Sequence, residues 1–124
     1  MMIARPAAWA ETIFHLYVSR LFRRHFHAIF LLGDFPKIAA TLPLLLAPNH
    51  STWWDGFFVH LLNKKIFARR PYVMMLEEQL VRYPFFTRLG VFSINPHSAA
   101  DTRASLRYAA RILRDPQNLL CIFP

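Results

Sequence analysis

Apolar side chains recur at helical spacing through residues 8–32. Laid out at 100° per residue, Phe14, Tyr17, Val18, Leu21, Phe22, Phe26 and Ile29 fall on one broad face. Arg20, Arg23, Arg24 and His27 fall on the opposite one. A basic stripe against a wide aromatic stripe is the pattern of a helix lying among lipid headgroups. The same pattern also fits a helix packed on its own domain with a solvated basic side. Gly33-Asp34-Phe35-Pro36 ends the helix.

Downstream the period changes. Residues 42–47 form a short unbroken apolar run, as a fully buried strand does, and Pro48-Asn49-His50 then turns the chain. Ser51 or Thr52 can cap a helix running through Asp55 to about Leu62. A basic connection follows (Lys64, Lys65, Arg69, Arg70), then a strand at 72–76 and a short helix at 77–83 stopped by Pro84. A third strand at 91–95 is entered through Gly90. Ser98 and Asp101 have capping-box spacing ahead of a helix at 101–114, and a fourth strand occupies 118–123. Strands alternating with helices predict an α/β fold, a mainly parallel sheet with flanking helices behind an N-terminal amphipathic helix. The expected division is a membrane-docking helix over 1–36 and the α/β domain over 37–124.

Composition narrows the partners. The 124 residues carry 15 Lys+Arg against 7 Asp+Glu, a net charge of +8, and 12 of those 15 cations are Arg. Such a balance suits an anionic partner and does not by itself choose among lipid, phosphorylated small molecule and nucleic acid. The chain is 55% apolar, which excludes disorder. Cys121 is the single cysteine, so no intrachain disulfide or thiolate metal cage is expected. The start lacks the pattern of a signal peptide. The longest charge-free stretch, 38–54, is interrupted by Pro43, Pro48, Asn49, His50 and Ser51, whereas a spanning helix wants about 20 apolar residues. The reading is a chain that lies on a membrane, peripheral or monotopic on its cytoplasmic side.

Asn49-His50-Ser51-Thr52-Trp53-Trp54-Asp55 holds the candidate chemistry. On a continuous helix His50 and Asp55 would stand about 140° apart and never meet. With His50 in the turn and Asp55 in the first helical turn, the carboxylate can reach back to the imidazole. It would fix the tautomer and leave the other ring nitrogen as a base. The alternative is an N-terminal Asp favoured by the helix dipole beside an unrelated histidine.

Asn49-His50 with four residues before Asp55, just after an apolar strand, resembles the signature of the glycerolipid (lysophospholipid, or 1-acylglycerol-3-phosphate) acyltransferase superfamily. Two further blocks follow in order. Gly90-Val91-Phe92-Ser93-Ile94-Asn95 sits about forty residues on, and Ile122-Phe123-Pro124 matches the opening of a Phe-Pro-Glu-Gly block. The resemblance implies that His50 is the general base and Asp55 its partner. It implies an acyl-CoA or acyl-carrier-protein donor, a lipid acceptor, no bound cofactor and no metal. Asn49, Trp53 and Trp54 would shape the site, with Gly90, Phe123 and Pro124 contributing to substrate binding.

Two departures qualify it. Pro96 stands where the family places a phosphate-binding arginine, leaving Arg88 or Arg103 as substitutes. The sequence stops at Pro124, before the Glu-Gly of the third block, so an incomplete acyltransferase domain is expected, its last strand exposing an unpaired apolar edge. The expected function is O-acyl transfer to a glycerolipid on a membrane surface. The alternative is a truncated, non-catalytic membrane-binding remnant. Nucleic-acid binding ranks last, because no strand alternates basic and aromatic residues.

Overall fold

The structure is a computed structural model that describes residues 1–34 and 37–123. The break expected at 33–36 therefore lies partly, and Pro124 wholly, outside the described residues. Four strands form one all-parallel sheet: β1 (Leu44–Leu46), β2 (Arg70–Leu76), β3 (Val91–Ile94) and β4 (Asn118–Ile122), in the order β1-β4-β2-β3. The helices are α1 (Ala8–His25), α2 (Asp55–Leu62), α3 (Glu77–Arg82) and α4 (Ala99–Ile112). A π-helical turn over Asn63–Phe67 extends α2, and a 3-10 turn over Pro84–Leu89 precedes β3. The α/β class with flanking helices is as expected.

Alternation along β4 decides which face each residue serves. Leu119 and Cys121 point to the α2 side, with Leu44 and Val59, while Leu120 packs with Phe92, Ala109 and Ile112 beneath α4. β4 is consequently an interior strand: Leu119, Leu120 and Cys121 are all 0% exposed. This corrects the expectation of an unpaired apolar edge, because β4 inserts between β1 and β2 and both its sides are hydrogen-bonded. The outer edge of β3 is occupied as well. Ser93 N–H donates to the Met2 carbonyl, Met2 N–H to Ser93 Oγ, and Arg5 and Ala7 donate to Thr87 and Arg88. Gly90 enters β3 at φ 91°, where a Cβ would stand 2.2 Å from the Pro71 carbonyl oxygen. Only glycine fits that approach between strands.

Three local features hold the remaining connections. Ser98 Oγ accepts from Asp101 N–H and caps α4, as its spacing predicts. The Arg69 guanidinium donates to the carbonyls of Leu42, Ala39 and Pro116, tying the approach to β1 to the turn before β4. Burial pushes the Cys121 thiol up to about 12, so it is a core residue without reactivity at neutral pH.

α1 ends at His25, seven residues earlier than the periodicity predicts. Phe26 turns extended and its ring stacks on Phe22 while meeting Trp54 and Phe58 edge-on. Those ring contacts, each stabilising by roughly 0.5–1.5 kcal/mol, outweigh one more helical residue. α1 runs antiparallel to α2: Glu11 pairs with Lys64, His15 with His60, and Phe22 with Trp54 and Phe58. The aromatic face expected to meet lipid is thus largely turned inward, with Val18 and Phe22 buried. Outward lie Trp9, Ile13, Leu16 and Tyr17, each more than half exposed, followed by Arg20, Arg23 and Arg24.

His15 Nδ1 and His60 Nε2 are 3.1 Å apart, a spacing that two charged rings cannot share. Burial, and then the charges of His15 and Lys64, push His60 from 6.5 down to about 4. The folded state holds this ring neutral, while the unfolded chain protonates it near its ordinary value. Its contribution to stability is complete above pH 6.5 and is lost as pH falls from there toward about 4. Urea midpoints measured from pH 7 to 4 should fall across that window, and His60→Gln should flatten the slope. An unchanged slope in the variant would remove His60 as the cause.

Candidate active site

β1 ends at Leu46, and Pro48 carries the chain out of the sheet into an exposed turn holding Asn49 and His50. This is the carboxyl end of a parallel strand, the edge where open α/β sheets bind ligands. α2 then begins at Asp55 itself. Neither Ser51 nor Thr52 caps the helix with its hydroxyl, contrary to expectation. The roles are reversed: Asp55 Oδ2 accepts from the backbone N–H of Ser51 at 2.7 Å and of Thr52 at 3.0 Å. Thr52 Oγ1 adds a bond to Oδ1 at 3.3 Å. A carboxylate satisfies two backbone donors at once, which one hydroxyl cannot do, and it also suits the positive end of a helix.

The same Oδ2 lies 3.1 Å from His50 Nδ1. The structure thus brings together the two residues that a continuous helix would have separated. The backbone donors of Thr52 and then Ser51 are the main causes holding the Asp55 carboxyl below its ordinary value; desolvation opposes them, and the His50 and Thr52 side chains add smaller help. Asp55 is therefore a fixed negative charge at neutral pH, and Nδ1–H is the tautomer it selects. His50 Nε2 has no protein partner among the described residues, and the side chain is 49% exposed. Chemically, this is a histidine oriented by a carboxylate with its second nitrogen free to accept a proton.

The surrounding rings are ordered. Trp53 stacks on Trp54 at 4.3 Å, and Trp54 turns inward against Phe22 and Phe26 while Trp53 stays largely exposed. Phe123, just beyond β4, lies 4.7 Å from the His50 ring. A groove of about 840 Å³ opens beside Asn49, Asp55 and Phe123 and runs along α2. Phe58, Val59, Leu62 and Ile66 line its apolar side, and the segment 28–31 forms part of its other wall.

Other proposed binding residues are placed elsewhere. Gly90 and Arg88 sit at the opposite end of β3 from the turn that holds His50, and Gly90 has the packing role given above. Arg103 is exposed on α4, on the far side of the sheet from α2. The structure brings none of the three to His50. Arg23, His27 and Lys65 do line the groove, and sequence reasoning had not assigned them to it. Their signal was present as the basic stripe of α1, which points to a site only once α1 is known to run antiparallel to α2. Among the described residues no group of three or more His, Cys, Asp or Glu side chains is placed to hold a metal ion.

A family model for acyltransferases matches residues 34–124, from just before β1 through β4. The chain belongs to the acyltransferase family. It is a transferase by that membership, of the glycerolipid acyltransferase type. No curated protein and no solved structure matches the chain. Among the described residues no helix is long and apolar enough to cross a membrane.

For this acyltransferase the 50–55 turn depends on one side chain. Asp55→Ala should accelerate amide hydrogen exchange at Ser51 and Thr52 at least about tenfold, while Asp55→Asn, which keeps one acceptor, should show a smaller change. Equal protection in all three proteins would mean that the carboxylate does not hold the turn.

Proposed function

We propose that the chain transfers a fatty acyl group from a thioester donor, acyl-CoA or acyl-carrier protein, to the hydroxyl of a glycerolipid acceptor at a membrane surface. The 3.1 Å contact between His50 Nδ1 and the ionised Asp55 is the observation that carries this reading. His50 Nε2 takes the proton of the acceptor hydroxyl as its oxygen attacks the thioester carbonyl. The new C–O bond forms, the C–S bond breaks, and the imidazolium returns the proton to the departing thiolate. Asp55 stabilises the imidazolium between the two transfers without changing its own protonation.

The groove supports a long apolar substituent. From Asp55 to Ile66 the helical path covers roughly 16 Å, with Phe58, Val59, Leu61, Leu62 and Ile66 along it, which suits an extended acyl chain with its reactive end beside His50. Arg23 and Lys65 stand along the same groove and supply cations for a phosphate, in place of the arginine replaced by Pro96. The outward side of α1 supports the membrane. Trp9, Ile13, Leu16 and Tyr17 offer apolar and interfacial side chains, and Arg20 and Arg24 complement anionic headgroups. Phe30 and Leu32, 81% and 95% exposed, extend that apolar surface beyond the helix. Attachment of this kind is peripheral.

In an assay with labelled acyl donors and a panel of lysophospholipids, His50→Ala should lower the transfer rate about 10²–10⁴-fold. Retention of most of the activity would remove His50 as the base. Separately, the protein should co-sediment with vesicles containing anionic phospholipid. Replacing Trp9, Ile13 and Leu16 together with Ser should release it, and equal sedimentation of that variant would move the contact away from α1.

A further inference from the structure

The Asp55 hydrogen bond anchors one point of the His50 ring, and one point does not define a plane. Rotation about the Nδ1···Oδ2 line swings Nε2, the atom that must face a hydroxyl. Something else has to fix the ring, because the side chain is half exposed. The pairing of β1 with β4 supplies it. Leu46 lies opposite Cys121, so the two strands leave the sheet side by side, one toward His50 and the other into Phe123. Alternation along β4 turns Phe123 to the α2 side, where it packs with Leu44, Val59, Leu119 and Cys121. From that buried footing its ring meets the imidazole with centroids 4.7 Å apart and planes inclined by 38°.

We propose that Phe123 is a positioning residue for acyl transfer, a platform that locks the plane of the His50 imidazole and favours its cationic form during the proton transfer. This assignment rests on His50 being the base, and it gives Phe123 a role through His50 in place of contact with substrate. The π-face of a phenyl ring carries partial negative charge, and a ring gaining a positive charge over it is favoured. Leucine in that place fills similar volume and leaves the imidazole free to rock. Tyrosine restores both the platform and its π-face.

The experiment compares the full chain with Phe123→Leu, Phe123→Tyr and His50→Ala, by kinetics and by NMR of the histidine ring protons. Phe123→Leu should lower kcat about tenfold with little change in KM, the signature of lost orientation rather than lost binding. Phe123→Tyr should recover most of that loss. The His50 ring protons should be shifted upfield by the neighbouring aromatic current in the wild type and the Tyr variant and should move toward free-histidine positions in Phe123→Leu. A raised KM with kcat intact would make Phe123 a substrate contact and overturn the proposal. So would His50 signals that do not respond to Phe123→Leu, a readout that needs no turnover. An inactive His50→Ala beside a fully active Phe123→Leu overturns this proposal alone. An active His50→Ala overturns the base reading and this proposal with it.

Discussion

Everything at the site depends on one carboxylate oxygen. Asp55 Oδ2 accepts from two backbone amides, those of Ser51 and Thr52, and from Nδ1 of His50. The same atom closes the turn, begins α2 and aims the imidazole. Because the backbone donors dominate its environment, the carboxylate keeps its charge without needing a cationic partner. A negative charge that already exists before His50 is protonated is available throughout proton transfer and requires no rearrangement when the imidazolium forms. The fold, rather than the base itself, maintains the partner's charge.

That arrangement is only as firm as the platform beneath it. β1 is a three-residue edge strand, but it is paired to the interior strand β4, which is paired in turn to β2. Parallel strands need both faces covered, and here α4 covers one while α2, with α1 behind it, covers the other. The insertion of β4 beside β1 has a second effect. It brings a residue distant in sequence, Phe123, onto His50.

The His50–Asp55 contact was legible because local rules suffice for it. Pro48 breaks the strand, four residues separate the pair, and the helix starts at its second member, Asp55. The strand–helix alternation and the Ser98 cap were legible for the same reason. The sheet order was not, since nothing in 118–123 records that β4 pairs with β1 and β2 rather than at an edge. Nor was the orientation of α1. This helix is apolar on two sides, and periodicity locates apolar stripes without saying which of them meets a neighbour. Trp9, Ile13 and Leu16 look no less like core residues than Phe14, Val18 and Phe22. Antiparallel partners on α2 decide between them. Arg69 was similarly opaque: a cation within a basic run reads as solvated until three carbonyls are seen to converge on it.

The placement of α1 bears on how the site is built. Its inner rings touch Trp54, the residue immediately before Asp55, and Phe58, one turn further along α2. Phe22 and Phe26 also line the groove that opens beside Asp55. A helix that only anchored the protein would need no contact with the start of α2, and burying a side chain such as Phe22 stabilises that contact by roughly 1.5–3 kcal/mol. One wall of the groove therefore comes from α1 and the other from the α/β layers, and the two are joined by the aromatic layer between α1 and α2. Weakening those ring contacts would disturb the groove and the start of α2 together, because the same side chains serve both.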